Sequence, residues 1–269
     1  MSRPPAPPVV LTIAGSDSSC GAGLQADLKT ITALGGYALT AATCVVAEIP
    51  GKVSMIQPMR PAIVAEQIRL SFSAYPVAAV KTGMLYSEAI LRAVIDALIE
   101  GVAGRKARPA LVVDPVMIAS SGDRLLKPGL AKAFCRELLP LATLVTPNLS
   151  ELSVLAGEDV KDVAGMESAG LELANRFQTA FLLKGGHLPG RQAVDVLVEP
   201  DGKVQRFSAP FIRGADPHGT GCTYSAAIAT GLAHGRSLPD AIAEAKEFIT
   251  RAIQNRHRWP HVEALAHGS

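Results

Sequence analysis

The sequence predicts an α/β protein with a mainly parallel central sheet between two layers of helices. Short apolar segments rich in Val, Leu and Ala alternate along the chain with segments whose apolar residues recur at helical spacing. This alternation implies right-handed crossover connections, which place helices on both faces of a parallel sheet. The 269-residue chain shows no linker, composition shift or internal repeat. We therefore expect one domain over residues 9–256, a disordered proline-rich tail (1–8) and a polar C-terminal tail (257–269).

In the first half of the chain, residues that favour turns and helix starts separate the predicted elements. The expected strands are 9–14, 37–46, 53–57, 77–80 and 110–113. The expected helices are 24–34, 61–75 and 87–100. Pro61 and Ser87 support the second and third of these, because proline and serine are favoured where helices begin.

The second half of the chain continues the alternation and adds a hairpin. Strands are expected at 143–145 and 181–183, and a hairpin is expected from residues 193–199 and 203–208. Asp201-Gly202 lies between the two arms of this hairpin, and that dipeptide is a strong turn signal. The expected helices are 128–139, 148–156, 165–177, 220–233 and 239–255.

Polar residues follow directly after several of the predicted strands. They are Gly15-Ser16-Asp17, Lys81-Thr82, Asp114, Asn148 and Lys184. The carboxyl ends of parallel strands meet at one edge of the sheet, where open α/β proteins bind their ligands. The sequence therefore predicts a functional site at this edge.

The stretch 214–231 predicts a glycine-rich turn that leads directly into a buried helix. Gly219 and Gly221 flank Thr220, and the residues that follow are small and apolar. Free N–H groups at such a helix start, together with the positive end of the helix dipole, favour a phosphate or a developing negative charge. Cys222 stands at this point, either as a functional thiol or as a small core residue beside a turn.

The groups predicted at this edge suit phosphoryl transfer. They are carboxylates (Asp17, Asp27, Asp114, Glu151), lysines (Lys81, Lys184) and glycine turns (21–23, 185–186, 219–221). Carboxylate oxygens suit Mg²⁺, and the transition state needs its negative charge neutralised more than it needs covalent help. The chain has no G-x-x-x-x-G-K-[ST] motif and no G-x-G-x-x-G after the first strand, which argues against a P-loop NTPase and a dinucleotide-binding protein.

Charge and composition argue against several other classes. The net charge is +2 at pH 7 with no basic block, so neither nucleic acid nor a membrane surface is an expected partner. No apolar segment is long enough to cross a bilayer, and the N-terminus does not resemble a signal peptide. The 4 cysteines form no C-x-x-C pair, which predicts reduced thiols in the cytoplasm rather than a zinc or thioredoxin-like site.

A set of short motifs resembles one kinase family, in the same order along the chain. The motifs are Ile13–Ser18, Gly21–Lys29, Lys81–Met84, Asp114–Met117, Ser121–Asp123, Thr146–Asn148 with Glu151, Lys184–His187 and His218–Thr223. Together they resemble the ribokinase superfamily and, within it, the hydroxymethylpyrimidine/phosphomethylpyrimidine kinases of thiamine biosynthesis. The resemblance covers residues from about 9 to 255.

This resemblance implies a ribokinase-like three-layer α/β/α fold with a small or absent lid. It also implies transfer of the ATP γ-phosphoryl group to the hydroxymethyl oxygen of 4-amino-5-hydroxymethyl-2-methylpyrimidine, followed by a second transfer to the monophosphate. Mg²⁺ is an implied cofactor, and the involvement of K⁺ stays open. A cytoplasmic homodimer is the implied form of the protein.

The resemblance assigns the chemistry to the glycine turn. Cys222 stands where most of the superfamily has an Asp base, and the helix N-terminus is expected to lower its thiol pKa. A modest base suffices, because the hydroxyl loses its proton late in a loose transition state. The N–H groups of Gly219, Thr220 and Gly221 would form the anion hole for the transferring phosphoryl group.

The resemblance also assigns the binding residues. The pyrimidine site maps onto Gly15, Asp27, Met84, Val116 and His218. Asp27 is expected to accept hydrogen bonds from the amino edge of the pyrimidine. The nucleotide residues are Asn148, Lys184, Thr220 and Lys246, and the Mg²⁺ residues, acting through water, are Asp114 and Glu151. Asn148 and Glu151 also have the spacing of a capping box, and the two roles are compatible.

One position departs from the family pattern. The family commonly reads T-A-Q-N-T after the second strand, whereas this chain has Glu48 in the place of the pyrimidine-facing Gln. An ionised Glu only accepts hydrogen bonds, while Gln both donates and accepts. Glu48 can therefore still receive the 4-amino hydrogens, but it would repel a nearby substrate phosphate and so bears on the second transfer.

Three alternatives stay open beside this interpretation. Some relatives phosphorylate pyridoxal, and some of those carry a second cysteine in the loop after the D-P-V-M segment. Residues 118–121 contain no cysteine, which favours the pyrimidine. A non-catalytic vitamin-binding protein on a kinase fold is a second alternative, because fold does not imply function. A sugar or nucleoside kinase is the third, and the absence of Asp at position 222 argues against it.

Overall fold

The computed structural model describes residues 5–117, 128–186, 188, 190–215 and 218–268. Several sequence expectations fall outside these residues. They concern residues 1–4 of the proline-rich tail, the cysteine-free loop 118–121, the motif Ser121–Asp123, His187 and Pro217.

Strands and helices alternate along most of the described chain. The strands are β1 (Val9–Asp17), β2 (Tyr37–Ile49), β3 (Lys52–Pro58), β4 (Val77–Thr82), β5 (Ala110–Val113), β6 (Leu144–Val145), β7 (Ala180–Lys184), β8 (Gln192–Val198), β9 (Val204–Pro210), β10 (His257–Trp259) and β11 (Val262–Ala264). The α-helices are α1 (Gly23–Ala33), α2 (Pro61–Ala74), α3 (Glu88–Val102), α4 (Pro128–Ala133), α5 (Leu149–Ala156), α6 (Val163–Phe177), α7 (Thr220–Ala233) and α8 (Leu238–Gln254).

The central sheet has nine strands in the order β3-β2-β1-β4-β5-β6-β7-β8-β9. Strands β2, β1, β4, β5, β6 and β7 pair in parallel, whereas β3, β8 and β9 add antiparallel pairs at the two ends. The prediction of a mainly parallel sheet is confirmed. All the parallel strands end at one edge, so the residues that follow them lie together.

The two faces of the sheet build two separate cores, because alternate residues of each strand point to opposite faces. Leu11 and Val113 pack with α2 to α6, while their neighbours Val10 and Val112 pack with α1, α7 and α8. This gives the expected three-layer α/β/α architecture. None of the helices in the described part of the chain is long and apolar enough to cross a membrane.

Two helix predictions show how local chemistry sets the boundaries. The predicted helix 220–233 is observed with those bounds as α7. The predicted helix 128–139 is instead split, since α4 ends at Ala133 and is followed by a π-helical turn (Phe134–Leu138) and a 3₁₀ turn (Leu139–Leu141). The 3₁₀ turn contains Pro140, which has no N–H to donate and therefore cannot continue a regular helix.

The C-terminal segment corrects one sequence expectation. Residues expected to form an irregular, solvated tail include the antiparallel pair of β10 and β11. Beyond it, Leu265 and Ala266 are buried, and His267 Nε2 lies 2.9 Å from Thr223 Oγ1 in α7. Apolar packing and this hydrogen bond therefore hold the segment against the first turn of α7.

Candidate active site

A cavity of about 800 Å³ opens at the carboxyl edge of the parallel strands. Most of the residues that sequence motifs nominated line this one cavity. They are Gly15, Glu48, Met84, Asp114, Val116, Asn148, Glu151, Lys184, His218, Gly219, Thr220, Gly221 and Cys222. Residues far apart in the chain meet here because the strands that carry them are parallel neighbours.

Two residues that the resemblance assigned to binding do not line the cavity, and both are engaged elsewhere. Asp27 is 0% exposed, and its carboxylate lies 2.8 Å from the Lys81 ammonium below the cavity. The expectation that Asp27 faces the pyrimidine is therefore corrected: its acceptor oxygens are held by Lys81 and Thr12. Lys246 Nζ lies 2.6 Å from Asp195 Oδ2, and this contact turns it away from the cavity that was expected to hold the nucleotide.

The structure adds cavity residues that sequence reasoning missed. The β2–β3 hairpin contributes residues 49–53 and Ile56, and the C-terminal segment contributes residues 261–263. The Pro50-Gly51 turn was visible in the sequence, but nothing local indicated that the hairpin would border the site. This hairpin forms part of the cavity wall.

The glycine turn is held in place by close backbone packing. Gly219 has φ +88°, and a Cβ at this position would lie 1.8 Å from the carbonyl oxygen of Gly21. A Cβ at Gly221 would lie 3.1 Å from Lys184 Nζ and 3.6 Å from Asp114 Oδ2. Only glycine fits at position 219, and the turn brings the N-terminus of α7 next to a lysine and a carboxylate.

Cys222 lies in the first turn of α7 and borders the cavity. Desolvation by the surrounding protein raises the pKa of its thiol to about 11, although Lys81 and a hydrogen bond from the Gly23 N–H act to lower it. The expectation of a lowered pKa is therefore corrected. Lys81 and the Gly23 N–H stabilise the thiolate less than burial destabilises it.

Lys184 and Asp114 form an ion pair at the edge of the sheet. Their Nζ and Oδ1 atoms are 3.0 Å apart, and Thr146 Oγ1 lies 3.3 Å from the same carboxylate oxygen. Burial alone would lower the pKa of Lys184, but Asp114 and Glu151 together raise it. The ammonium is therefore charged at neutral pH and close to the glycine turn.

Asn148 and Glu151 form the capping box that their spacing predicted. Glu151 N donates to Asn148 Oδ1 and Asn148 N donates to Glu151 Oε2, both at 2.9 Å. Glu151 Oε1 also accepts from Met117 N at 3.1 Å. Burial raises the pKa of Glu151 despite the nearby Lys184. The capping role thus holds the Glu151 carboxylate in the cavity wall beside Asp114.

A second polar cluster, formed by Asp17, Glu48 and His218, also lines the cavity. One potential ligand atom of each residue lies within 4.8 Å of those of the other two. His218 Nε2 is 3.1 Å from Asp17 Oδ2, and this contact raises the pKa of His218. Burial raises the pKa of Glu48, and the neighbouring Asp17 adds to this shift. The cluster joins the glycine turn to the loop after β1 and to the β2–β3 hairpin.

We expect the Asp17→Asn variant to lose roughly 2 kcal/mol of unfolding free energy at neutral pH. Burial alone would raise the pKa of Asp17, but hydrogen bonds from His218, Ser19 and Ala22 lower it to about 2. This stabilisation is complete above the unfolded-state pKa and disappears as the pH falls through about 2. Urea unfolding across this pH range measures the difference between variant and parent.

Asp159→Asn is the matched control, because Asp159 makes an exposed ion pair with Lys161. It should leave the unfolding free energy nearly unchanged at every pH. An Asp17→Asn deficit that persisted unchanged below pH 2 would contradict the electrostatic explanation.

Small-molecule kinases with the ribokinase-like fold characteristically have a sheet of this topology. They also have an anion site formed by glycine residues, beside a paired lysine and carboxylate. The model of the family described as phosphomethylpyrimidine kinase matches residues 17–265. The chain belongs to this family of phosphotransferases.

Individual relatives agree with this assignment. The chain is 42% identical over 251 residues to a hydroxymethylpyrimidine/phosphomethylpyrimidine kinase from Rhizobium meliloti, with 93% of this chain and 92% of the relative covered. It is 44% identical over 245 residues to the thiamine biosynthesis bifunctional protein ThiED from Geobacter sulfurreducens, covering 91% of this chain but 49% of that relative. The chain thus spans about half the length of the Geobacter protein.

A solved structure of a pyridoxal kinase from Bacillus subtilis, in complex with ADP, has the same fold. It superposes with a TM-score of 0.86 at 35% sequence identity, and 97% of each chain is covered. The chain therefore shares its fold with a protein named as a pyridoxal kinase.

Proposed function

We propose that the protein transfers the γ-phosphoryl group of ATP to the hydroxymethyl oxygen of 4-amino-5-hydroxymethyl-2-methylpyrimidine. A second transfer converts the monophosphate to the diphosphate, as a step of thiamine biosynthesis in the cytoplasm. The observation that carries the proposal is that Cys222 lines one cavity together with the glycine turn and with Gly15, Met84 and Val116. The names of the Rhizobium and Geobacter relatives support this substrate.

The phosphate end of the reaction lies between the glycine turn and Lys184. The N–H groups of Gly219, Thr220 and Gly221 point from the start of α7, where they stabilise the charge of a transferring phosphoryl group. Lys184 adds a fixed positive charge 3.1 Å from the position that a Gly221 Cβ would occupy. Asn148 and Thr220 complete the proposed nucleotide contacts on this side of the cavity.

Asp114 and Glu151 have the donor chemistry for Mg²⁺ held through water. Both offer carboxylate oxygens in the wall of the cavity, and Lys184 compensates part of their charge. Mg²⁺ bound there would neutralise charge on the nucleotide phosphates. We also propose that K⁺ activates the phosphoryl transfer. Equal reaction rates in NaCl and in KCl would exclude this activation.

Cys222 is the proposed acceptor of the hydroxyl proton. As the phosphoryl group reaches the hydroxymethyl oxygen, the O–H bond breaks and the proton passes to the sulfur. The thiol must ionise for this role, and burial opposes this ionisation. Lys81 is the group whose charge favours the thiolate most.

In the proposal, the pyrimidine lies over Gly15 near the end of β1. A Cβ at Gly15 would lie 2.9 Å from Cys44 Sγ and 3.8 Å from Met84 Sδ, so no side chain fits there. Val116 has φ +43°, a strained conformation for a β-branched residue, which is typical of binding sites. Glu48 and His218 supply polar groups at the rim of this part of the cavity.

Replacing Glu48 with Gln should raise the ratio of the rate with the monophosphate to the rate with the alcohol by about tenfold. This factor corresponds to the removal of ~1.4 kcal/mol of electrostatic repulsion. The carboxylate lies near the cavity part proposed to hold the substrate phosphate, and glutamine removes its charge while keeping its size. Separate rates for the two substrates, with mono- and diphosphate resolved by chromatography, measure the ratio.

Glu263→Gln provides the matched control for this prediction. Glu263 lines the same cavity, but Arg256 at 2.7 Å and Arg258 at 3.2 Å already neutralise it. The ratio should therefore stay close to that of the parent. Equal ratios in Glu48→Gln and in the parent protein would overturn the prediction.

A pyridoxal kinase is the second candidate function, favoured by the similarity to the Bacillus subtilis enzyme. The deciding experiment incubates the protein with ATP and Mg²⁺ and either the pyrimidine alcohol or pyridoxal, and compares kcat/KM. The proposal requires the pyrimidine to be the better substrate and the diphosphate to be detected. A preference for pyridoxal would replace the proposed substrate, and absence of turnover with both would favour a binding protein.

We propose that the two subunits of a homodimer contact each other through the outer face of the β2–β3 hairpin. Val45 and Met55 are exposed on this face, and Ala47 pairs with Met55 across the two strands. Exposed apolar side chains on an edge hairpin are typical of surfaces that a partner covers. Light scattering should give twice the mass of the chain, and Met55→Lys should shift the protein toward monomer. A monomeric parent protein would exclude the dimer.

A further inference from the structure

The C-terminal segment (residues 256–267) contacts the first turn of α7, the helix that carries the glycine turn. His267 Nε2 lies 2.9 Å from Thr223 Oγ1, and Thr223 directly follows Cys222 in the chain. The exposed fraction is 7% for His267 and 0% for Thr223. Neither of these two residues lines the active-site cavity. The hydrogen bond therefore joins two buried groups from distant segments, directly behind the site.

The hydroxyl group of Thr223 has a different kind of partner from two later hydroxyl groups of α7. Ser225 Oγ donates to the Gly221 carbonyl at 2.9 Å, and Thr230 Oγ1 donates to the Ala226 carbonyl at 2.8 Å, so both bond to their own helix. Thr223 Oγ1 bonds instead to a ring nitrogen of the C-terminal segment. Leaving a buried hydroxyl without its partner is costly, so the position of Thr223 depends on this contact.

Thr223 is also joined to the glycine turn through the backbone. Its N–H donates to the Gly219 carbonyl at 2.9 Å and closes the first turn of α7. Gly219 packs so closely on the loop after β1 that a Cβ there would lie 1.8 Å from the Gly21 carbonyl oxygen. The turn therefore lies between two contacts, the loop after β1 on one side and, through Thr223, His267 on the other.

A second side chain of the C-terminal segment contacts the stretch that precedes the glycine turn. Arg256 Nη2 donates to the Gly214 carbonyl at 3.2 Å, and Arg256 Nε lies 2.7 Å from Glu263 Oε2. The Arg256 side chain is buried, and Glu263 lines the active-site cavity. The C-terminal segment thus contacts the chain both before and after the glycine turn.

We propose that His267 is a positioning residue, which holds the first turn of α7 so that the N–H groups of Gly219, Thr220 and Gly221 point to the transferring phosphoryl group. Burial lowers the pKa of His267 to about 4, so at neutral pH the ring is uncharged and has one donor and one acceptor nitrogen. Arg256 supports the same arrangement from the other side of the turn. The effect on phosphoryl transfer rests on the proposed function, whereas the order of the turn can be measured without it.

His267→Ala should lower kcat with the pyrimidine alcohol by about tenfold and leave KM for the alcohol nearly unchanged. A displaced anion site loses interactions that are made mainly in the transition state, so the loss appears in kcat. His267→Gln keeps a donor and an acceptor on the side chain, and it should keep kcat within about threefold of the parent. Steady-state kinetics at saturating ATP measures both constants.

A double-mutant cycle tests whether His267 acts through Thr223. Thr223→Val removes the hydroxyl group at nearly constant size and should also lower kcat by about tenfold. The variant with both substitutions should be no slower than the slower of the two single variants, because each removes the same hydrogen bond. Losses that multiply to about 100-fold would show that the two residues act independently and would overturn the proposal.

Amide hydrogen exchange provides a measurement that does not depend on kinase activity. In His267→Ala, the peptide 218–226 should exchange about fivefold faster than in the parent, because a hydrogen bond that orders it is lost. Unchanged exchange would overturn the proposal, and so would faster exchange combined with the kcat of the parent. If the parent phosphorylates neither the pyrimidine alcohol nor pyridoxal, faster exchange would contradict only the proposed function and leave the ordering of the turn by His267 standing.

His234→Ala is the matched control, because His234 makes a similar contact at the other end of α7. His234 Nε2 lies 3.0 Å from the Leu34 carbonyl oxygen. Its removal should leave kcat and the exchange of peptide 218–226 within about twofold of the parent. Equal effects of His234→Ala and His267→Ala would indicate a general loosening of α7 and overturn the proposal. Circular dichroism establishes that each variant folds, and if His267→Ala does not, Thr223→Val takes its place with the same expected results.

Discussion

The Cys222→Ala variant is expected to lose kcat by about 10²–10⁴-fold with the pyrimidine alcohol. The substitution removes the proposed proton acceptor from the start of α7 and leaves the N–H groups of the glycine turn in place. ATP binding, measured by calorimetry, should therefore change little. A single-turnover assay with purified protein measures the chemical step directly.

Cys135→Ala is the matched control, because Cys135 is also a free and partly buried thiol but does not border the cavity. It should keep the kcat of the parent within about twofold, as expected for a substitution away from the site. Undiminished turnover in Cys222→Ala would show that the thiol does not act as the base. Equal losses in both variants would indicate a general effect of removing cysteines.

The Gly219→Ala variant should lose activity by about 10²–10³-fold, the effect of disrupting an anion hole. A Cβ at this position would lie 1.8 Å from the Gly21 carbonyl oxygen, and φ is +88°. The turn must therefore move away from the loop after β1, and its N–H groups would no longer point to the transferring phosphoryl group. Steady-state kinetics should show the loss mainly in kcat.

Gly235→Ala separates backbone strain from loss of the anion hole. Gly235 has φ +80°, but nothing lies within 4 Å of the Cβ it would gain. The control should cost about 1–2 kcal/mol of stability and leave kcat unchanged. If Gly219→Ala retained full activity with an unchanged melting temperature, the close packing of the turn would not matter for catalysis.

Local chemistry made much of the fold predictable. Proline, serine and glycine mark where α2, α3 and α7 begin, and the capping box at Asn148 and Glu151 has the hydrogen bonds that its spacing indicated. The parallel sheet followed from the alternation of strands and helices, and the edge that carries the site followed from the sheet. These features depend on residues close in the chain or on general rules of topology.

Other features depended on contacts between distant segments. Glu48 was recognised as a departure from the family motif, but its position near Asp17 and His218 required three separate elements to meet. The C-terminal segment resembles a polar tail in sequence, yet Leu265 and His267 are buried because they reach α1 and α7. The polarity of a short segment does not predict whether the rest of the protein will bury it.

The sequence by itself determined the fold class, the family and the turn that carries Cys222, because motifs and hydrophobic periodicity are local properties. Only the tertiary structure decided the surroundings of the ionisable residues near that turn. It placed Asp27 against Lys81 inside the core instead of against the substrate, and it surrounded Cys222 with enough protein to raise its pKa to about 11. Desolvation and charge pairing depend on which side chains are neighbours in space, and spacing along the chain does not contain that information.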